Sequence, residues 1–134
     1  MHQIGEVAGA VGLSLRTIRH YEEVGLVPPS GRTAGGFRLY TDDDIERLRI
    51  VKHMKPLEFS LEEMRELLEA RDLLAAGVDD EAERARLVER LARFAAVAER
   101  RCETLSEQLH SAQSMAELLR REARRRRRAG EVQR

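Results

Sequence analysis

Five residues in one short stretch, Arg16, Thr17, Arg19, His20 and Tyr21, carry side chains suited to an anion or to the polar edge of a nucleic-acid base. An arginine takes a guanine edge bidentately or clamps a phosphate, and threonine and tyrosine hydroxyls donate to phosphate oxygens. Arg32 and Arg38 flank a glycine-rich turn further on, and the two lysines of the chain, Lys52 and Lys55, follow. Each offers a further phosphate contact, and Ser14 and Tyr40 fall on the same expected surface. A single surface cation is usually just solvated. These cations gather in one region, while most of its acids stand elsewhere, on Asp42, Asp43 and Asp44 and after Ser60.

Catalytic chemistry finds no comparable set. The four histidines, His2, His20, His53 and His110, lie in four separate segments. No serine–histidine–acid arrangement, phosphate-cradling loop or metal-ligand cluster accompanies them. The single Cys102 excludes an intrachain disulfide framework and a multi-cysteine metal site. The expectation is a binding protein that is not an enzyme and takes no cofactor or metal.

The elements that must position these residues are signalled by spacing and caps. Ile4, Val7, Ala8 and Val11 recur at helical spacing, and Gly12 closes that helix. Ser14 is a good N-cap, with Leu13 and Ile18 as a staple, for a second helix over about 15–24 that buries Leu15, Ile18 and Val24. Two short helices around a tight turn form a helix-turn-helix pattern, whose second helix presents its first turns to a major groove. Pro28-Pro29 then forbids helix, and Ala34-Gly35-Gly36 supplies a turn before the alternating Phe37-Arg38-Leu39-Tyr40. This predicts a small hairpin, or wing, with Phe37 and Leu39 on one face and Arg38 and Tyr40 on the other. Thr41 opens a third helix, to about Met54, that buries Ile45, Leu48 and Val51. Ser60-Leu61-Glu62-Glu63 is a capping box for a fourth that buries Leu61, Met64, Leu67 and Leu68.

After Gly77 a single helix is expected over about 80–121. Val88, Leu91, Ala95, Ala98, Cys102, Leu105, Leu109, Ala112, Ala116 and Leu119 alternate three and four apart, and all are apolar. That is an a/d seam over more than four heptads, which wants a partner helix, most economically a second copy of itself. Cys102 reads there as a small hydrophobe of the seam.

Of the 134 residues, 24 are basic and 24 acidic, 36% are charged and 4% aromatic. Residues 1–76 carry 10 basic and 13 acidic groups, residues 77–119 carry 6 and 9, and residues 120–134 carry 8 and 2. The neutral total therefore hides an arginine-rich end of net +6. No apolar run approaches the ~18 residues of a membrane span, and no signal peptide pattern opens the chain, so a cytoplasmic protein without a membrane partner is expected.

Taken together, Ile4-Gly5-Glu6-Val7-Ala8, Gly12-Leu13-Ser14, Arg16 to Glu22, Gly25-Leu26-Val27, Arg32-Thr33, Gly35 to Tyr40 and Phe59 to Leu68 resemble the N-terminal domain of the MerR family of bacterial transcription regulators. The resemblance covers about residues 2–75. It implies an all-α fold with a small β-hairpin: a winged helix-turn-helix domain (1–76), a long dimerisation helix in an antiparallel coiled coil (77–121) and an arginine-rich tail (122–134). It further implies a homodimer on an inverted-repeat promoter site in double-stranded DNA, distorting the promoter spacer, with RNA polymerase as a further partner. Arg16, Arg19 and Tyr21 match the family's recognition-helix contacts, Arg32 and Arg38 its first wing and Lys55 its second. Three positions depart from the family pattern: Phe37, where tyrosine is frequent; Glu58, where glycine is usual; and Gln3, a weaker cap than serine or threonine. The metal-sensing cysteines and the large ligand domain of other members find no counterpart, which leaves the effector unknown: the chain's own abundance, a partner protein or a small molecule bound between helices. The alternatives are a coiled-coil adaptor whose winged domain binds protein, and a repressor or architectural DNA binder that does not remodel a promoter.

Overall fold

The computed structural model describes residues 1–132, as two compact units, Met1–Ala95 and Ala96–Arg134. In order the elements are β1 (His2–Gln3), α1 (Ile4–Val11), α2 (Leu15–Glu23), β2 (Gly31–Arg32), β3 (Arg38–Tyr40), α3 (Asp42–Met54), a 3₁₀ turn (Lys55–Leu57), α4 (Leu61–Ala76) and α5 (Glu81–Val132).

Helix starts follow the cap chemistry. The Ser14 hydroxyl accepts from the Thr17 amide at 3.1 Å. Thr41 and Asp44, and likewise Ser60 and Glu63, form reciprocal capping boxes. Each box satisfies two amides that a helix start otherwise leaves without partners. At α1 the Glu6 carboxylate accepts from the Gln3 amide at 3.3 Å. Gly12 at φ +70° ends α1, as a residue without Cβ can.

The core of the first unit gathers Val7 and Val11 of α1, Ile18 and Tyr21 of α2, Leu26, Val27, Tyr40, and Ile45, Leu48, Val51 and Met54 of α3, all buried. Phe59, Met64, Leu68 and Ala70 extend it to α4, and Leu87 of α5 is buried as well. The Phe59 and Phe94 rings meet at 6.1 Å. Burying an aliphatic side chain contributes roughly 1.5–3 kcal/mol, so α1–α3 supply most of the adhesion.

Several expectations are corrected. The wing is a three-stranded antiparallel sheet of order β1-β3-β2, because His2 pairs with Tyr40 and Gln3 with Leu39. A two-residue strand is too short to show alternation. Leu15 and Leu61 are each 39% exposed, at the first position of their helices, where little of the chain covers a side chain. Tyr40, expected on the contact surface, is fully buried, whereas Phe37 is 67% exposed. Tyr40 leads straight into α3, whose packing draws it inward. α5 continues past residue 121 to Val132, held by Arg–Glu pairs along its surface, including Arg121 with Glu117 and Arg126 with Glu122. The last two residues of the expected tail lie outside the described residues.

Candidate nucleic-acid interface

α2 turns Ile18 and Tyr21 into the core, and this leaves Arg16, Arg19 and His20 in solvent. These three, with Thr17, Glu23 and an edge of Tyr21, line an open depression of about 580 Å³ that Lys55 closes from the 3₁₀ turn after α3. Two cations of α2 and the cation of the 3₁₀ turn, 36 positions or more apart in the chain, thus meet on one surface. Thr17 is half-buried, and its hydroxyl shares a hydrogen bond with Ser14 at 2.8 Å, so these two chiefly fix the start of the helix.

Tyr21 is 3% exposed, tilted against His20 with ring centroids 5.9 Å apart. Its backbone carbonyl accepts from the amides of Leu26 and Val27. Burial pushes its phenol pKa up, as it does that of Tyr40. Tyr21 is therefore a core residue that also borders the depression. Tyr40, expected on the contact surface, is excluded from it altogether, and its hydroxyl has no hydrogen-bond partner among the described residues.

The wing arginines are held rather than free. Arg32 and Arg38 are directly opposed across β2 and β3. Like charges at that separation repel. Glu22, on the last turn of α2, resolves the conflict: one carboxylate oxygen accepts from Arg32 Nη2 at 2.6 Å, the other from Arg38 Nε. The paired carboxylate holds the Arg38 guanidinium pKa above its ordinary value. Arg32 Nη1 also donates to the Gly36 carbonyl at 3.1 Å, which fastens the turn. Glu22 thereby ties the wing to the recognition helix. Two opposed arginines on a short hairpin call for a carboxylate, but their register is not legible before the strands are paired.

Lys52 is the clearest loss from the expected set. Its Nζ donates to the Val11 carbonyl at 2.7 Å, at the C-terminal end of α1, where a cation also complements the helix dipole. A Cβ at Gly12 would lie 2.8 Å from that nitrogen. Lys52 is a helix cap supplied from a different helix, and only the packing of α1 on α3 reveals it.

Partly exposed ion pairs brace α3 against α4. Arg47 meets Asp43, Asp44 and Asp72, and Arg71 meets Asp43 and Asp72. Arg71 holds the Asp43 carboxyl pKa below its ordinary value. Asp44 is 3% exposed yet satisfied, accepting from Ser30, Arg47 and the Thr41 amide. Arg65 of α4 donates to the Val24 carbonyl at 2.8 Å, clamping the end of α2. Glu58 occupies φ +62°, ψ +31°. This non-glycine residue adopts the left-handed form, at a cost of roughly 1 kcal/mol. Among the described residues, no group of three or more His, Cys, Asp and Glu could hold a metal ion, and no helix is long and apolar enough to cross a membrane.

The expected seam of α5 is largely uncovered in the single chain. Val88, Ala95, Cys102, Leu105, Leu109, Ala112, Ala116 and Leu119 are exposed, while Leu91 and Ala98 are half-buried. In the first unit the face of α5 that packs inward begins at Leu87, one residue earlier than Val88, and includes Phe94.

A helix-turn-helix, a sheet wing and a cationic depression between α2 and the turn after α3 define the class of fold, and comparison with known proteins gives the family. Residues 3–71 match the model of the MerR HTH family regulatory protein, and the chain belongs to that family. It is 46% identical over 71 residues to the HTH-type transcriptional regulator ZntR of Escherichia coli, covering 53% of this chain and 50% of that protein. It is 47% identical over 68 residues to the HTH-type transcriptional regulator YfmP of Bacillus subtilis, covering 50% and 49%. The chain thus spans about half the length of the curated relatives it matches. Among solved structures it is similar to HiNmlR, a MerR family regulator lacking the sensor domain, bound to promoter DNA. The TM-score is 0.58 at 27% identity, over 81% of this chain and 77% of that one. A MerR-family protein of Listeria monocytogenes shares the fold at TM-score 0.64 and 24% identity, over 84% and 81%.

Proposed function

We propose that this chain is a transcription regulator that reads an inverted-repeat promoter site in double-stranded DNA as a homodimer. The observation that carries the reading is the convergence of Arg16, Arg19, His20 and Lys55 on one depression. α2 enters the major groove with Arg16 and Arg19 toward base edges or phosphate, and Lys55 grips the flanking backbone. The wing arginines approach the backbone with Glu22 already beside them. They therefore position the wing more than they add net charge.

Dimerisation runs through α5. Leu105, Leu109 and Leu119 expose 44%, 59% and 62% of their surface on one seam, more than an isolated helix is expected to leave in water. Distortion of the promoter spacer, contact with RNA polymerase and a cytoplasmic location belong to the same proposal. They rest on family membership and on the likeness to a promoter-bound relative.

A gel shift on the promoter upstream of its own gene tests the reading. The wild-type chain is expected to shift it, and Arg16→Ala with Arg19→Ala to weaken binding by roughly 10–100-fold, at about 1–3 kcal/mol for a base-reading arginine. A full shift by the double variant would overturn the assignment of α2 as the reading helix.

A further inference from the structure

The cations of the first unit are largely spent on the fold. Arg32 and Arg38 pair with Glu22, Arg47 and Arg71 pair with aspartates, Lys52 caps α1 and Arg65 binds a backbone carbonyl. The chain's largest reserve of positive charge stands at the end of α5. Between Glu117 and Val132 there are seven arginines and three glutamates.

Their arrangement is directional. Arg121, Arg124, Arg125 and Arg128 are spaced i, i+3, i+4 and i+7, which puts them on one helical face, and with Leu118 they line an open depression of about 520 Å³. At 1.5 Å rise per residue this face runs about 10 Å along the helix. Glu117 and Glu122 draw back some of the charge, Glu117 from Arg120, Arg121 and Arg124, and Glu122 from Arg125 and Arg126. Arg127 and Arg128 are exposed, and neither has an ion pair among the described residues. The paired guanidiniums stay 51–72% exposed along this face, so each keeps donors turned to solvent.

We propose that this arginine face of α5 is a second nucleic-acid surface, taking the phosphates of duplex DNA without regard to sequence. A planar guanidinium matches phosphate oxygens bidentately, and a row of them on one helix face neutralises consecutive phosphates and releases their counterions. The face contains no residue suited to reading bases other than the arginines themselves, and sequence choice stays with α2. The proposal rests on the DNA-binding reading above and adds a site to it.

The test uses the full chain and a variant with Arg121→Gln, Arg124→Gln, Arg125→Gln and Arg128→Gln, glutamine being nearly as good a helix former as arginine. Affinity for a random-sequence duplex is measured from low to moderate salt, and affinity for the operator alongside it. The variant is expected to lose at least tenfold in random-duplex affinity at low salt. Its plot of log affinity against log salt is expected to flatten by about 2–4 units, at ~0.9 per phosphate contact, with operator preference retained. The matching lysine variant should keep the slope. An unchanged slope in the glutamine variant overturns the proposal, as does failure of the wild type to bind duplex. Loss of self-association in sedimentation with an unchanged slope overturns it too, assigning the face to a second copy of the chain. If the slope flattens but the wild type shows no operator preference, the arginine face stands and the promoter-reading assignment falls.

Discussion

The two units use the same amino-acid types in opposite ways. In Met1–Ala95 most large apolar residues of α1, α2 and α3 are sealed, and cations are committed across elements, from α3 to α1 and from the wing to α2. In Ala96–Arg134 the leucines lie open, and the ion pairs recorded there join residues of the same helix three, four or seven positions apart. The first unit is completed by its own chain. The second is one continuous helix whose leucines stay exposed in the single chain. The cross-element pairs of the first unit, such as Arg47 with Asp72 and Arg71 with Asp43, tie α3 to α4. Exposed i, i+4 pairs contribute only about 0.3–0.5 kcal/mol each and mainly support helicity.

Ile18→Ala probes the sealed unit. Ile18 has no exposed surface, and truncation is expected to lower the unfolding free energy by roughly 2–5 kcal/mol in chemical denaturation. Leu105→Glu with Leu109→Glu probes the open one. The expected result is conversion of dimer to monomer in sedimentation, a weakening of at least 100-fold, while the core signals of the first unit remain; a persistent dimer would break the comparison. Glu22→Gln leaves two opposed arginines without a full counter-charge, and about 1 kcal/mol of stability should be lost after discounting for solvent. Random-duplex affinity should rise in the same variant as the wing cations are released. Glu58→Gly relieves the left-handed strain and should gain up to about 1 kcal/mol by thermal unfolding.

The smallest effect is electrostatic. Asp42 and then Glu6 raise the pKa of the half-buried His2 above the ordinary imidazole value. Its contribution is therefore fully present below the ordinary pKa of about 6.5 and is lost as the pH rises through the raised value. An NMR titration should show the raised midpoint, and Asp42→Asn should bring it down.

Legibility followed the range of the interaction. The starts of α2, α3 and α4 and the glycine stops after α1 and α4 were readable because a cap and its partner lie within four residues of each other. The outward face of α2 was readable from spacing, and Arg16, Arg19 and His20 line one depression with Lys55. Lys52 and Tyr40 were misread because their partners come from packing between elements distant in the chain, as with the 41 positions separating Lys52 from Val11. Glu22 was overlooked for the same reason. The family departure at Glu58 was visible, but its left-handed conformation was legible only in the backbone.

The pairing of β1 with β3 also imposes an order of assembly. His2 must wait for Tyr40, 38 residues further along, whereas the turns and caps of α1 and α2 close over a handful of residues. At about 5–20 residues per second of synthesis, the first strand stays without its partner for some two to eight seconds. Both helices of the helix-turn-helix therefore emerge before the edge that fastens them to the wing. On the ribosome the reading helix can form early, and the strand that begins the chain closes the sheet late.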